Sequence, residues 1–284
     1  MIHAGHVHTP YCPHGTIDAL ADYCEAAIRL GIKGITFSEH APLPPSFSDP
    51  TPSKDSAMER KQLERYVEEI ERLKQEYAGK LTILTGLEVD YIEGYEEETT
   101  AFLKEIGPHL DDSILSVHFL KIDSSYICID YSPEAFAEAV RSLGSVDDVY
   151  RQYFATVARS IEADLGRYKP KRIGHITLVR KFRKQFEPSA SFEREIANLL
   201  ALIKKHSYEL DYNGAGVVKP LCGETYPCET IAERAAQLGI PLVYGSDAHQ
   251  VKALMSGVKE LSPNVSLTMP SVLRDRGELF DTLA

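Results

Sequence analysis

The sequence lacks paired cysteines, long apolar runs and an excess of positive charge. No cysteine belongs to a CxxC pair, and the odd number of five scattered thiols argues against a disulfide framework or a thiolate zinc site. No run approaches the roughly 18 apolar residues of a membrane helix, and no basic segment precedes the first apolar stretch. These absences predict a cytoplasmic protein that has no membrane partner.

Positive charge is scarce: 31 lysines and arginines stand against 42 aspartates and glutamates, so the formal net charge is −11. A chain with this balance is poorly suited to hold a nucleic acid through its phosphate backbone. We therefore expect a small-molecule partner and no nucleic acid, and a substrate with a cationic part is compatible with the charge. The sequence does not determine the oligomeric state.

What the sequence does contain is a regular alternation of apolar, β-branched runs with amphipathic segments, which indicates repeated β/α units. We predict strands in IHAGHVH, KGITFSEH, LTILTGLEVDY, SILSVHFL, RIGHI, YELDYNG and IPLVYGSDAH. We predict helices after the N-cap candidate Thr16 and over 57–77, 133–143, 146–166, 190–206 and 229–238. With 284 residues, 43% of them hydrophobic, the chain can bury one large core. The expected fold is an α/β barrel in a single domain over residues 1–284.

Histidine and carboxylate residues end or follow the predicted strands. In a barrel of parallel strands these ends open on one face, so residues that are distant in sequence converge there. The HVH and DAH pairs have the i, i+2 spacing that points both side chains to the same side of a strand. Nine candidate ligands share this face: His6, His8, His14, His40, Glu88, His118, His175, Asp247 and His249.

A lone histidine at such a place is more often a hydrogen-bonded, partly buried side chain than a ligand. Seven of the ten histidines fall in this set, however, and only His3, His109 and His206 stay outside it as structural or solvated residues. Nine ligands exceed one tetrahedral site and suit about three divalent ions, for which imidazole and carboxylate favour Zn, Mn or Fe. The charge of such a cluster exceeds that of its two carboxylates, which favours an anionic substrate such as a phosphate ester.

Six motifs together resemble the PHP superfamily (polymerase and histidinol phosphatase), and within it the stand-alone histidinol-phosphate phosphatases. The motifs are HVHTPYCPHG, SEHAP, GLEVDY, SVHFL, GHITLVRKF and YGSDAH, and the match runs from His6 to about His249. The resemblance implies a distorted, TIM-like (β/α)7 barrel with a trinuclear metal site at the carboxyl ends of its strands. It assigns three ligand sets: His6, His8, Glu88 and Asp247; Glu88, His118 and His175; and His14, His40 and His249, with Glu88 bridging two ions.

The activity that the resemblance implies is hydrolysis of L-histidinol phosphate in histidine biosynthesis, by attack of a metal-bridging hydroxide on phosphorus. One alternative is a PHP phosphoesterase that acts on another substrate, such as a phosphotyrosine peptide, a small nucleotide or a DNA end. A second alternative, from a different class, is a non-catalytic module that binds metals or an anion. A structural metal site needs fewer ligands than this chain offers, which disfavours that module.

Basic residues for the phosphate follow two of the motifs. Arg180 matches the arginine that clamps phosphate in relatives, whereas we interpret Lys181 and Lys184 as part of a solvated basic face. Relatives often have an arginine in place of Val218, and Lys219 is the candidate that replaces it. Arg180 and Lys219 are therefore the predicted catalytic and phosphate-binding residues. Asp90, Tyr91 and Tyr126 are equally well explained as contacts of a cationic substrate part and as ordinary packing.

Overall fold

Seven parallel strands form the centre of the molecule. The computed structural model of the chain describes residues 2–272. In their order around the sheet the parallel strands are β1 (His3–Val7), β2 (Gly34–His40), β3 (Thr82–Asp90), β4 (Ile114–Ser116), β7 (Arg172–Ile173), β8 (Glu209–Asn213) and β9 (Leu242–Gly245). A separate antiparallel hairpin consists of β5 (Phe119–Ile122) and β6 (Ser125–Cys128).

The first and last strands of the sheet lie side by side, so the sheet is nearly closed into a barrel. Val7 at the end of β1 pairs in parallel with Ala248, just beyond β9. The His8 amide donates to the Ala248 carbonyl over 3.0 Å, and the Asp247 amide donates to the His6 carbonyl over 2.9 Å. The predicted α/β barrel is confirmed. Its closure brings the HVH and DAH motifs, at opposite ends of the chain, into contact.

Seven helices lie among the described residues and cover the outside of the barrel: α1 (Leu20–Arg29), α2 (Leu63–Glu76), α3 (Glu96–Ile106), α4 (Pro133–Leu143), α5 (Val146–Glu162), α6 (Glu193–Lys205) and α7 (Glu229–Gln237). Each buries one apolar stripe, as amphipathic surface helices do. Ser132 and Ser145 cap α4 and α5, where their hydroxyls accept the Ala135 and Asp148 amides over 3.2 and 3.1 Å. None of these helices is long and apolar enough to span a bilayer.

Two local predictions need correction, and one helix was missed. The first helix begins at Leu20, because the Thr16 amide and hydroxyl both donate to the His249 carbonyl and Ile17 is 96% exposed. The segment SILSVHFL is not one strand. It leaves the barrel after β4 and enters the hairpin at Phe119, so that His118 lies between two sheets. The helix α3 was not predicted from the sequence.

The amino-terminal end of the barrel is closed by a buried polar network. Arg172 is 1% exposed, and its Nη2 donates to the Gly5 carbonyl at 2.7 Å and to Asp112 Oδ2 at 2.6 Å. The same carboxylate oxygen accepts the Thr36 hydroxyl, and His3 Nε2 lies 2.8 Å from that hydroxyl. The opposite end is therefore the open one, where the candidate ligands lie. The predicted single domain extends to residues 1 and 273–284, which lie outside the described residues.

Candidate metal centre

All nine predicted ligands lie at the carboxyl end of the barrel. His6 is in β1, His40 is the last residue of β2, and Glu88 is two residues from the end of β3. The others stand in the loops that follow the strands. The register of β1 against β2 shifts between Ala4 and Val7, which is the kind of irregularity that re-aims a side chain, and His6 lies within it. Asp247 has a backbone φ of +50°, in the left-handed region, where functional residues are often held.

Glu88 stands at the centre of the histidines. Its Oε2 lies 3.1 Å from His40 Nδ1, 3.3 Å from His6 Nε2 and 3.5 Å from His8 Nε2. Its Oε1 lies 2.9 Å from His175 Nε2 and 3.8 Å from His118 Nε2, and it also accepts the Ser116 hydroxyl over 2.6 Å. Each carboxylate oxygen therefore faces a different group of imidazoles, which is the arrangement that a bridging carboxylate requires.

A first group of ligands surrounds His8. Its Nε2 lies 3.1 Å from Asp247 Oδ1 and 3.2 Å from His6 Nε2. The distance between these two imidazole nitrogens is close to the separation of two ligand atoms on a tetrahedral zinc ion. That separation is about 3.4 Å, because Zn–N bonds are about 2.1 Å long. His6, His8 and Asp247 form one set whose ligand atoms lie within 4.8 Å of one another, and Glu88, His118 and His175 form another.

A third set contains a residue that the sequence analysis set aside. Cys12 joins His8, His40 and His249 in a group whose ligand atoms also lie within 4.8 Å of one another. The predicted ligand His14 is beside this group, with ring centroids 5.0 Å from His249 and 5.3 Å from His40. Its Nδ1 lies 2.9 Å from the Asp55 carbonyl oxygen and can donate to it, which leaves Nε2 as its ligand atom.

A second layer of carboxylates holds three of the imidazoles by their other nitrogen. Asp211 Oδ2 lies 2.8 Å from His6 Nδ1, Glu39 Oε1 lies 3.1 Å from His8 Nδ1, and Asp90 Oδ1 lies 2.7 Å from His118 Nδ1. Such partners fix the orientation of a metal-binding histidine. Sequence reasoning missed Glu39 and Asp211 in this role. Their signal was a charged residue inside an otherwise apolar strand, in FSEH and ELDYN.

The donor set fits divalent cations. Burial lowers the pKa of His118, but the carboxylates of Asp90 and Glu88 outweigh it and raise that pKa to about 10. Burial likewise opposes charge on His8, whose hydrogen bonds to Asp247 and Glu39 raise its pKa to about 9. The nearby carboxylates therefore favour positive charge at these nitrogens, and a bound metal ion supplies that charge as a proton does. The buried His249 Nε2 has no hydrogen-bond partner among the described residues.

A cavity of about 450 Å³ opens above the ligands. Among the described residues, two lysines line it, Lys181 and Lys219, and the carboxylates of Asp55 and Asp130 lie on its wall. The role predicted for Lys219, as a phosphate contact, stays a prediction. Lys181, which we interpreted as a solvated residue, points to Asp130 Oδ2 at 2.9 Å and has a side chain only 22% exposed.

Arg180, the predicted phosphate contact, is paired with a carboxylate. Its guanidinium forms a two-point ion pair with the Glu224 carboxylate, and it is not among the residues that line the cavity. The two tyrosines considered for the substrate also have other partners, since Tyr91 donates to Glu96 and Tyr126 to the Glu93 carbonyl. A phosphate contact at Arg180 stays a prediction, and of these two neighbouring residues Lys181 is the one that lines the cavity.

The sequence matches the model of a known protein family. A family model described as the PHP domain matches residues 4–215. The chain belongs to the PHP family. The resemblance predicted from the six motifs is confirmed, and seven of the nine candidate ligands lie within the matched range, all except Asp247 and His249.

Relatives of this PHP chain include curated and solved proteins. The histidinol-phosphatase of Bacillus subtilis (strain 168) is 54% identical over 250 residues, which cover 87% of this chain and 92% of the relative. The crystal structure of hisK from Listeria monocytogenes, a candidate histidinol phosphatase, has a TM-score of 0.86 at 41% identity and covers 90% of this chain and 98% of its own. The histidinol phosphate phosphatase of Lactococcus lactis, solved with zinc, L-histidinol and phosphate, has a TM-score of 0.70 at 17% identity and covers 95% and 97%. At that identity the likeness shows the fold alone.

Proposed function

We propose that this PHP protein is a histidinol-phosphate phosphatase, which hydrolyses L-histidinol phosphate to L-histidinol and inorganic phosphate in histidine biosynthesis. The substrate assignment is supported by the 54% identity to the Bacillus subtilis histidinol-phosphatase over nearly the full length of both chains. The observation that carries the reaction class is the position of Glu88, with one oxygen towards each of two groups of histidines at the floor of an open cavity. The cytoplasmic location stays a prediction.

The ligand assignment that we propose has three sets. His6, His8, Glu88 and Asp247 form the first, Glu88, His118 and His175 the second, and His14, His40 and His249 the third. Divalent ions held there, whether Zn, Mn or Fe, would supply an activated water and neutralise charge on the phosphate. Asp211, Glu39 and Asp90 would keep three of the imidazoles in the orientation that binding requires.

The remaining charges of the cavity suit a phosphate ester with a cationic part. We propose that Lys181 and Lys219 bind phosphate oxygens, with Asp130 positioning Lys181. Burial lowers the pKa of Lys181, but the Asp130 carboxylate outweighs this and raises it, so the ammonium stays charged. Arg180 is the alternative contact, and it would first have to leave Glu224. The carboxylate of Asp55 lies on the cavity wall, where an amine or imidazolium would be attracted.

The test is phosphate release by the purified protein from L-histidinol phosphate, a generic phosphomonoester and a nucleotide, each with and without chelator and with added Mn or Zn. We expect a strong preference for histidinol phosphate that chelator abolishes and metal restores. Equal or faster hydrolysis of another ester would contradict the substrate assignment. Activity that survives complete removal of metal would contradict the metal centre.

A further inference from the structure

The Cys12 sulfur lies inside the cluster of candidate ligands. Cys12 is 4% exposed and belongs to the loop between β1 and His14. Its sulfur and one nitrogen each of His8, His40 and His249 lie within 4.8 Å of one another. The absence of CxxC pairs had excluded a thiolate site only on the basis of sequence spacing, which says nothing about a cysteine that meets histidines from other strands.

The histidines of this group differ in what else they bind. His8 is engaged on both nitrogens, by Glu39 at 3.1 Å and by Asp247 at 3.1 Å. His40 Nδ1 lies 3.1 Å from Glu88 Oε2. His249 Nε2, in contrast, is buried and lacks a hydrogen-bond partner among the described residues. An unpaired buried polar atom is costly, so His249 Nε2 requires a partner. A cation held between this nitrogen, the Cys12 sulfur and His40 would satisfy it.

The loop that contains Cys12 is tightly folded. The Cys12 amide donates to the Thr9 carbonyl over 3.0 Å, and the Gly15 amide donates to the Cys12 carbonyl over 3.1 Å. A Cβ on Gly15 would lie 3.2 Å from Cys12 Cβ, so the loop passes the cysteine closely.

We propose that the Cys12 thiolate is a ligand of the metal ion that His40 and His249 would hold, with His14 on the solvent side of the same ion. The inference rests on the metal centre of the proposed function and adds a sulfur ligand to it. On binding, the S–H bond breaks, the sulfur–metal bond forms and one proton leaves to solvent. A thiolate ligand favours zinc over manganese. This position would therefore differ in metal preference from the other two, whose proposed ligands are only imidazoles and carboxylates.

Cobalt(II) gives a direct readout, because a thiolate ligand adds a charge-transfer band in the near ultraviolet that imidazole and carboxylate do not produce. The full chain, stripped of metal and reloaded with cobalt, is compared with Cys12→Ser. Cys24→Ser and Cys128→Ser are the controls: Cys24 is buried in α1, and Cys128 lines the cavity but donates to Asp130. All five cysteines are free thiols, so each can be tested in this way.

We expect the near-ultraviolet charge-transfer band in the wild type and in both controls. Cys12→Ser should lose this band and keep the visible absorption of cobalt at the other positions. Three results would overturn the sulfur ligand without contradicting the metal centre. They are a cobalt-loaded wild type without the band, a band that persists in Cys12→Ser, and a band that disappears in Cys128→Ser. Failure to bind any cobalt would overturn both. If Cys12→Ser does not fold, X-ray absorption of the zinc-loaded wild type decides, since a Zn–S distance of about 2.3 Å is either present or absent.

Discussion

Asp211 holds His6, the first histidine of the cluster, from a strand 205 residues further along the chain. Its Oδ2 accepts from His6 Nδ1 at 2.8 Å and from the side-chain Nδ2 of Asn213 at 3.0 Å. All three residues are buried. This leaves His6 Nε2 pointed at Glu88 and Asp247. At the scale of single residues, the candidate centre therefore depends in part on two carboxylates that do not line the cavity, those of Asp211 and Glu39.

Replacing Asp211 with Asn keeps the shape of the side chain and removes its charge. We expect metal affinity to fall by about 10-fold to 100-fold, because such outer partners orient a metal-binding imidazole and raise its basicity. Retention of metal against a graded series of chelator concentrations measures the change, and added metal should restore phosphatase activity.

Asp112→Asn is the matched control for Asp211→Asn. Asp112 is a carboxylate of the buried network at the opposite end of the barrel, where it accepts from Arg172 and Thr36. Its replacement should lower the free energy of unfolding without changing chelator sensitivity. A folded Asp211→Asn variant that retains metal like the wild type would refute the positioning role.

Among the elements, the short 3₁₀ turn over Leu178–Phe182 decides which basic residue meets the phosphate. Successive residues of a 3₁₀ helix point about 120° apart, at three residues per turn. Arg180 is consequently directed to Glu224, whereas Lys181 faces the cavity and Asp130, which follows the β5–β6 hairpin. One step along this turn separates a structural ion pair from a candidate phosphate contact.

Lys181→Met and Arg180→Met separate the two residues by kinetics. We expect Lys181→Met to lower kcat/KM for L-histidinol phosphate by about 10-fold to 100-fold, since a hydrogen bond to a charged group contributes about 1.5–3 kcal/mol. Arg180→Met should lower it by less than about threefold, because its partly exposed ion pair with Glu224 lies outside the cavity. The reverse order of effects would support Arg180 as the phosphate contact and contradict the proposed role of Lys181.

For the molecule as a whole, the closed end of the barrel makes stability depend on pH. Burial, together with the Arg172 charge, lowers the pKa of His3 from 6.5 to about 3. In the unfolded chain this imidazole takes up a proton below pH 6.5, whereas in the folded protein it stays neutral until the pH reaches about 3. Its contribution to stability is therefore present above pH 6.5 and is lost as the pH falls through that window.

The loss amounts to about 1.4 kcal/mol for each pH unit below 6.5, or about 2 kcal/mol at pH 5. Denaturant unfolding of the wild type and of His3→Gln at pH 7 and pH 5 measures it. The wild type should lose about 2 kcal/mol more than the variant between the two conditions, because glutamine does not titrate. An equal loss in both proteins would contradict the role of His3.

Local periodicity in the sequence predicted much of the architecture. The 133–143 helix agrees with α4 at both ends, and the strands KGITFSEH and YELDYNG contain β2 and β8, because residues in regular segments bury faces whose spacing is visible in the chain. The same reasoning failed at Thr16, where a hydrogen bond to His249 replaced helix capping, and at SILSVHFL, which two different sheets share. Contacts between distant segments decided both cases.

The sequence by itself determined the barrel, the PHP family and the nine candidate ligands, since residue type and strand-end spacing are local properties. Only the tertiary structure decided which carboxylates support the imidazoles, that Lys181 rather than Arg180 faces the cavity, and that Cys12 lies among the histidines. The physical reason is that hydrogen bonds and ligand contacts act over about 3 Å between side chains, and barrel closure sets those distances between residues far apart in sequence.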